Sequence, residues 1–265
     1  EVLEATIGAK ATTEDGKPLV HDEIENNISF KWGLGDREAC DKAFEEADHV
    51  VKLDLINQRM IANAMEPRAC AAQWTAATKD MTVWTTSQNP HIIRFGLSAV
   101  TLPMLDEHKL RVISPDVGGG FGSKIFHYPE EVIVPWIAMK INRPCKWVAT
   151  RSESFMTDSQ GRDHVQKCKM ALKSDGTMTG LYAELHADMG AYLSSIAPLI
   201  PTVICITLFS GLYKNPGIWG ETTGTLTNTV PVDAYRGAGR PEASYLVERL
   251  VDVAAQELKM DPIEI

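Results

Sequence analysis

The chain has 265 residues, of which 44% are hydrophobic and 23% charged, a balance typical of a globular protein with enough apolar material for a large core. Its formal net charge of −9, with the positive residues scattered along the chain, argues against a nucleic-acid partner. The longest apolar stretch, residues 196–208, contains two prolines and two threonines, so we expect no membrane span.

Hydrophobic patterning predicts an α+β fold with mixed sheets and helices. We interpret residues 1–30 as the tail of a preceding small domain with its linker, and residues 31–265 as one larger domain. In chain order, the predicted strands cover residues 50–55, 68–74, 81–86, 110–114, 145–150, 165–172 and 178–186. The predicted helices cover residues 90–101, residues 129–142 and a carboxy-terminal segment that runs to about Met260. The turn Ser174-Asp175-Gly176 predicts that the last two strands form a hairpin.

Four glycines surround one aromatic residue between a predicted strand and a predicted helix, in the run DVGGGFGSK at residues 116–124. Glycine permits both positive φ and a close approach of the backbone to a ligand, and loops at such junctions commonly bind ligands. Ser123 stands where a P-loop or a dinucleotide fingerprint needs its last glycine, so neither motif is present. Taken alone, the run is equally compatible with a tight turn.

A second glycine cluster, AYRGAGRPEA at residues 234–243, leads into the carboxy-terminal helix. Apolar residues recur there at helical spacing, namely Leu246, Val247, Leu250, Val253, Ala254 and Leu258. Glycine N–H groups at a helix start, flanked by two arginines, suit a phosphate or another oxyanion. The segment TTSQNPH at residues 85–91 adds an amide side chain between a strand and a helix. Together the three segments predict a ligand site.

Five short sequence motifs carry a family resemblance. They are MEPR (65–68), SQNPH (87–91), ISPDVGGGFGSK (113–124), RPCKW (143–147) and AYRGAGRPEA (234–243). With these motifs in this order, the chain resembles the molybdenum-binding large subunit of the xanthine dehydrogenase/aldehyde oxidase family, nearest to its carbon monoxide dehydrogenase large-subunit-like branch. The resemblance implies that residues 1–30 end a small α/β-hammerhead-like domain and that residues 31–265 are the first half of the molybdopterin-binding domain.

The resemblance also implies a set of cofactor-binding residues: Gln88, Gly119, Gly120, Phe121, Gly122, Arg236, Gly237 and Ala238. Gln88 occupies the position whose amide orients the molybdenum centre, and Arg236 the position of an arginine beside it. Phe121 and Gly122 stand where backbone N–H groups face the cofactor. Two alternatives stay open, because Gln88 also fits a helix-capping amide and Arg236 a surface or ion-paired arginine.

The implied reaction is hydroxylation of a substrate carbon with oxygen taken from water. The implied cofactor is molybdenum–molybdopterin, with the cytosine dinucleotide form as one option, and the protein gives the metal no direct side-chain ligand. FAD on a medium subunit and [2Fe-2S] centres on a small subunit would carry the electrons away, in a dimer of heterotrimers. The family's catalytic glutamate lies in the remainder of the large subunit and matches no residue here. We therefore assign no catalytic residue, and we expect these 265 residues to be inactive alone.

Three departures from well-known family members bear on the substrate. Purine-oxidising members have a glutamate where Ile125 stands and an aromatic residue where Ala238 stands, whereas carbon monoxide oxidisers have a copper-binding cysteine where Gly237 stands. Xanthine and carbon monoxide are therefore poor candidates. Ile125 and Ala238 are predicted to line a pocket for an aldehyde or a neutral N-heteroaromatic substrate.

The remaining polar and sulfur-containing residues give weaker signals. The five cysteines are dispersed without a C-x-x-C pair, so we predict reduced thiols and neither a zinc site nor an iron–sulfur cluster. Asp116 and Glu242 are interpreted as loop or helix-start acids. Arg162 is interpreted as a structural ion pair, with a substrate role as the alternative.

Two hypotheses from other classes compete with an enzyme: a non-catalytic oxyanion- or nucleotide-binding module, and a cofactor-assembly protein of the same ancestry. The opening Glu1-Val2-Leu3 lacks an initiator methionine, which indicates a fragment or a naturally split subunit. We expect a cytoplasmic protein. The periplasm stays open as an alternative, because a targeting peptide would lie upstream.

Overall fold

The computed structural model describes residues 3–265, in which two compact units are distinguished. Residues up to Met60 together with Gln160–Ile265 form the first unit, and Ile61–Ser159 form the second. The strands are β1 (Ile28–Gly35), β2 (His49–Asn57), β3 (Met60–Ile61), β4 (Ala69–Thr75), β5 (Asp80–Thr85), β6 (Leu110–Ile113), β7 (Cys145–Val148), β8 (Gln160–Gly161), β9 (His164–Leu172), β10 (Met178–Asp188) and β11 (Gly217–Thr225). The helices are α1 (Arg37–Glu45), α2 (Pro90–Phe95), α3 (Pro129–Ile141), α4 (Arg151–Thr157) and α5 (Arg240–Leu258). The predicted α+β class is confirmed.

A five-stranded sheet forms the centre of the first unit, in the order β1-β11-β10-β9-β2. Strands β10 and β11 run parallel, and the other neighbours run antiparallel. The predicted hairpin is present, since β9 and β10 pair antiparallel from Met178 opposite Leu172 to Ala187 opposite His164. Gly176 in the connecting turn has φ +89°, a conformation that side-chain-bearing residues rarely adopt.

Helix α5 packs its apolar stripe on one face of this sheet. Leu181 and Leu185 of β10 are fully buried against Leu246 and Leu250 of the helix. Strand residues two apart share a face, and helix residues four apart share a stripe, so both patterns meet in one core. Full burial of each such leucine contributes about 1.5–3 kcal/mol. The predicted amphipathic helix is confirmed.

The short polar helix α1 covers the opposite face of the same sheet. A Cβ added to Gly180 would lie 2.8 Å from the Cβ of Ala43, so the strand approaches the helix closely there. Gly180 precedes Leu181, and successive strand residues point to opposite faces. The Asp36 side chain caps the helix by accepting from the Ala39 N–H at 2.9 Å.

The amino-terminal segment is fastened to the first unit by side-chain hydrogen bonds. The Thr12 hydroxyl donates to the Leu226 carbonyl at 2.8 Å, and Asn27 donates to the Thr12 carbonyl at 3.2 Å. The predicted domain boundary after residue 30 stays a prediction, and Glu1 and Val2, which belong to that predicted tail, lie outside the described residues.

The second unit is built on a four-stranded sheet in the order β6-β5-β4-β7. Strands β5 and β6 run parallel, and β4 runs antiparallel to both β5 and β7. Its core contains Val83 of β5, Ile93 of α2 and Val134 of α3, all buried. Parallel pairing of β5 with β6 brings the carboxyl ends of these strands, and the loops that follow them, to one edge of the sheet.

The predicted strands agree with the observed bounds to within two residues at either end. The predicted helix over residues 90–101 is α-helical to Phe95 and then widens into the π-helical turn Gly96–Thr101, which the Leu102 N–H closes on the Leu97 carbonyl. Strands β1 and β11 and helices α1 and α4 were not predicted. Strand β11 buries glycines and threonines in place of large apolar residues, and α1 and α4 are mostly exposed. These three elements therefore lack a run of large buried side chains. Strand β1 does alternate, with Ile28, Phe30, Trp32 and Leu34 at every second position, and this period was missed.

Within residues 3–265, the longest apolar helix falls short of what crossing a bilayer requires. The apolar stretch singled out in the sequence forms short 3-10 and π-helical turns, Ala197–Leu199 and Ile200–Ile204.

Candidate functional site

Two predicted ligand segments meet at one edge of the second unit's sheet. Gln88 follows β5, and the glycine loop follows β6. The Gln88 N–H donates to the Lys124 carbonyl at 2.8 Å, and the Ser87 hydroxyl donates to the same carbonyl at 3.3 Å. In open α/β sheets, ligands bind at the carboxyl ends of parallel strands, and β5 and β6 are the parallel pair here.

The carboxamide of Gln88 has a fixed orientation. Its Oε1 accepts the Gly122 N–H at 2.9 Å. A backbone N–H can only donate, so the oxygen must face the loop and the Nε2 amino group must point away from it. Gln88 is exposed, and within residues 3–265 its amino group has no hydrogen-bond acceptor. The site thus presents a neutral donor held by the backbone.

Gly120 makes this contact possible. A Cβ built on Gly120 would overlap the Oε1, Cδ and Cγ atoms of Gln88, so no larger residue fits while the amide keeps its place. Gly119 is constrained too, with φ +95° and space that the Phe121 ring occupies. Glycine is required at Gly120 because the Gln88 side chain lies so close, and at Gly119 because the backbone has a positive φ.

Phe121 sits at the tip of the loop in the left-handed region, with φ +53°, and its side chain is 41% exposed. Non-glycine residues in this conformation are strained and concentrate at functional sites. Among the described residues, the Phe121 N–H donates to no protein acceptor, whereas the Gly122 N–H is taken by Gln88. Of the two predicted N–H groups, only that of Phe121 remains available to a ligand.

An ion pair between buried Lys124 and half-buried Glu66 closes the base of the glycine loop. Lys124 is 2% exposed, and its Nζ donates to the Glu66 carbonyl at 2.7 Å and to Glu66 Oε2 at 3.0 Å. The same Oε2 accepts the Gly118 N–H at 2.7 Å. Burial raises the pKa of Glu66, but the hydrogen bonds from Gly118 and Lys124 outweigh it and leave the pKa below its usual range. The carboxylate is therefore ionised at neutral pH.

Ile125 follows Lys124 in the sequence and is half-buried. Its N–H donates to the Gly122 carbonyl at 3.1 Å. The second unit thus brings together Gln88, Gly119, Gly120, Phe121, Gly122 and Ile125. The other predicted residues, Arg236, Gly237 and Ala238, belong to the first unit.

The Arg236 loop is a tight turn before α5. The Ala238 N–H donates to the Tyr235 carbonyl at 2.7 Å, and the Arg240 N–H donates to the Gly237 carbonyl at 3.1 Å. Gly237 has φ +93° and Gly239 has φ +83°, so both glycines are required by the backbone. Arg236 is exposed, and within residues 3–265 no carboxylate pairs with it.

Arg162 and Glu242, both interpreted as structural, lie next to each other, whereas the interpretation of Asp116 stays a prediction. Arg162 and Glu242 form an ion pair at 3.2 Å, in which Arg162 is 6% exposed and Glu242 is fully buried. The predicted ion pair is confirmed.

Sulfur and metal-ligating residues add no second site. All five cysteines are free thiols, and burial raises the pKa of Cys70 and of Cys168 to about 12, which keeps both protonated. In the described part of the chain, no three His, Cys, Asp or Glu residues are grouped so as to hold a metal ion.

Comparison with known proteins identifies the family. The profile of the molybdopterin cofactor-binding domain matches residues 20–265. The chain belongs to this family. The motif-based prediction is confirmed.

Relatives include the carbon monoxide dehydrogenase large chain of Hydrogenophaga pseudoflava, which is 35% identical over 100% of this chain and 32% of its own length. The nicotine 6-hydroxylase large subunit of Paenarthrobacter nicotinovorans is 31% identical over 100% of this chain and 32% of its own. Quinoline 2-oxidoreductase from Pseudomonas putida 86 superposes with a TM-score of 0.91 at 29% identity, over 100% of this chain and 33% of that structure. The chain thus spans about a third of the length of these relatives.

Glu66 and Arg68 lie in the family motif MEPR, but the sequence alone gave neither residue a role. Glu66 ties the loop to Lys124, and Arg68 donates to Asp158 at 2.6 Å and to Glu130 at 2.8 Å beneath the Tyr128 ring. Neither contact follows from a periodic pattern. The Glu66–Lys124 pair could have been proposed from the sequence, because both residues lie in motifs that carry the family resemblance.

Gly120→Ala tests whether the glycine loop holds the Gln88 amide. The added methyl group should displace Gln88 and break its bond to Gly122, so the Gly122 N–H should exchange with deuterium faster than in the wild type. Hydrogen–deuterium exchange of the peptide that contains residues 118–124 measures this change.

The matched control is Gly96→Ala in the same unit, where the nearest atom to an added Cβ is His127 Cδ2 at 3.3 Å. Exchange at Gly122 should be unchanged in the control. Equal exchange in Gly120→Ala and wild type would show that the loop does not hold Gln88.

Proposed function

We propose that this chain is part of the large subunit of a molybdenum hydroxylase and holds one side of its cofactor. The main support is the orientation of the Gln88 carboxamide. Its oxygen accepts the Gly122 N–H, so its amino group is free to donate a hydrogen bond to a ligand. A preorganised neutral donor is what a metal centre with developing negative charge requires. Membership of the molybdopterin cofactor-binding domain family supports the proposal.

The residues present fit such a group. Gly120 packs directly against the Gln88 carboxamide, and the Phe121 N–H has no protein acceptor within residues 3–265. Arg236 adds an exposed positive charge that no carboxylate in the described chain neutralises. Neutral N–H donors and a cation suit an anionic pterin–dinucleotide. When bound, the molybdenum–pterin group supplies the two-electron redox chemistry.

Each residue then has a physical role at the site. Gln88 Nε2 donates a hydrogen bond to the metal end of the cofactor and holds its orientation. The Phe121 N–H, with Gly119 and Gly120 allowing close approach, binds the cofactor from the glycine loop. Arg236 stabilises negative charge from its own loop, where Gly237 and Ala238 keep the surroundings free of bulk.

The proposed reaction is oxidative hydroxylation of an aldehyde or an N-heteroaromatic, with water as the oxygen source. The family resemblance assigns Ile125 and Ala238 to the substrate pocket, and the first is apolar and half-buried while the second has a small side chain. Two relatives are named for nicotine and quinoline, which are N-heteroaromatics. Another is named a Cu,Mo-CO dehydrogenase. Gly237 offers no sulfur for copper here, which favours the heteroaromatic or aldehyde reading over carbon monoxide.

The rest of the catalytic apparatus is proposed from the family resemblance. The general base would be a glutamate of the remaining large subunit, and electrons would leave through [2Fe-2S] centres and FAD on a small and a medium subunit. The assembly would be a cytoplasmic dimer of heterotrimers, with the cytosine dinucleotide form of the pterin as one option.

Gln88→Ala tests the assignment in the natively purified complex. The wild type should contain molybdenum without stoichiometric copper. The variant should keep its molybdenum and its fold but lose about 10²–10³ in turnover, the usual cost of removing one preorganised donor. Elemental analysis and oxidation of a panel of aldehydes and N-heteroaromatics with a dye acceptor provide the two measurements.

Gln73→Ala is the matched control, because Gln73 is an exposed glutamine on β4 of the same unit. It should leave both metal content and turnover unchanged. A complex without molybdenum would favour the oxyanion-binding module or the assembly protein, and full turnover in Gln88→Ala with molybdenum retained would contradict the role of Gln88.

Ala238→Phe tests the pocket. A bulky ring at this half-buried position should shift the relative kcat/KM values of small aldehydes and two-ring heteroaromatics by an amount equivalent to about 1–3 kcal/mol, the range that apolar pockets discriminate. Ala77→Phe, at an exposed turn of the second unit, is the control and should leave the profile unchanged. An unchanged profile in Ala238→Phe would place this residue outside the pocket.

A further inference from the structure

Arg162 and Asp163 form a strained junction between β8 and β9. Both are non-glycine residues in the left-handed region, with φ +66° and φ +65°. Such conformations persist only where surrounding contacts enforce them, and they concentrate at functional sites. Aspartate adopts this backbone occasionally, whereas arginine rarely does, so the sequence gives no sign of it at Arg162.

The Arg162 guanidinium binds the backbone of the Arg236 loop. Its Nη1 donates to the Tyr235 carbonyl at 2.9 Å, and its Nη2 donates to the Arg236 carbonyl at 2.9 Å. Nη1 also donates to Glu242 Oε1 in the first turn of α5 at 3.2 Å. One planar group therefore joins two successive loop carbonyls to the helix that follows the loop.

Close packing supports this arrangement from below. The Arg162 guanidinium lies over the Tyr235 ring, 4.8 Å from its centroid. A Cβ built on Gly161 would overlap the Cβ of Tyr235, so the chain before Arg162 lies directly against the loop. At 6% exposure, with its charge compensated by fully buried Glu242, Arg162 is not available to a substrate.

Asp163 anchors the other side of the junction. Its carboxylate accepts from Arg59 Nε at 2.6 Å, and Arg59 also donates to the Val230 carbonyl at 2.9 Å and pairs with Asp188 at 3.1 Å. With both residues in the left-handed region, their adjacent side chains contact different parts of the first unit. Asp163 is held by Arg59, and Arg162 is held against the loop.

We propose that Arg162 is a positioning residue for Arg236, which fixes the backbone from which the Arg236 guanidinium reaches the cofactor. This inference rests on the proposed function for the role of Arg236. Arg162 binds the carbonyl of Arg236 itself, while the hydrogen bond from the Ala238 N–H to the Tyr235 carbonyl closes the other side of the loop. Misplacement of a catalytic-site group by 1 Å can cost about a hundredfold in rate.

Arg162→Lys is the test in the intact complex. Lysine keeps the charge beside Glu242 but cannot reproduce the planar fork that bonds both loop carbonyls. We expect kcat to fall about ten- to hundredfold with molybdenum content unchanged. In an Arg236→Ala background the same change should have little further effect, because two residues that act as a unit are non-additive.

A second readout does not depend on turnover. In cofactor-free protein, the peptide spanning residues 234–240 should exchange its amide hydrogens faster in Arg162→Lys than in the wild type. Faster exchange in the variant, together with a natively purified wild-type complex that contains no molybdenum, would mean that the proposed function fails while the loop contact stands. Unchanged exchange would overturn the positioning role itself.

Arg68→Lys is the matched control, because Arg68 is also a buried arginine with two carboxylate partners, Glu130 and Asp158, in the second unit. Its effect on kcat should be the same with and without Arg236→Ala. An equal loss from Arg162→Lys in both backgrounds would show a merely structural role. If Arg162→Lys fails to fold, Glu242→Gln gives the same test, with a smaller loss that should again depend on Arg236.

Discussion

The hydrogen bond from the Gly122 N–H to Gln88 Oε1 is the contact on which the site depends. It converts an exposed glutamine with a freely rotating amide into a donor of known direction. The parallel pairing of β5 with β6 brings the two segments to one edge, and Gly120 leaves room for the contact. Without any one of these features, the amide would have two equivalent orientations and no preorganisation.

Both ligand loops are stabilised by a buried cation paired with a carboxylate. Lys124 and Glu66 hold the glycine loop, and Arg162 and Glu242 hold the Arg236 loop. In each case the cation also donates to a backbone carbonyl, so charge pairing and loop shape are coupled. Burying such pairs adds little net stability, whereas removing one partner leaves an uncompensated charge. Their value here is therefore geometric, which is what a site built from turns requires.

The sequence predicts the hydrophobically patterned elements well. Strands β5 and β10 and helix α5 bury apolar residues at regular spacing, and their bounds could be predicted closely. Strand β11 was not predicted, because its buried residues are glycines and threonines and not large apolar residues. At the site, glycine spacing located the loops, but the left-handed backbone of Arg162 could not be predicted, since long-range contacts with Tyr235 and Glu242 enforce it. The roles of Gln88 and Arg236 came from the family motifs and stay proposals.

The most direct measurement of the central claim is a structure of the intact protein with its cofactor bound. We expect Gln88 Nε2 to lie within about 2.7–3.2 Å of an acceptor at the molybdenum centre, the range of a hydrogen bond, while Oε1 keeps its bond to the Gly122 N–H. A cofactor bound away from the Gln88 edge, or a Gln88 amide turned so that Gly122 loses its acceptor, would contradict it.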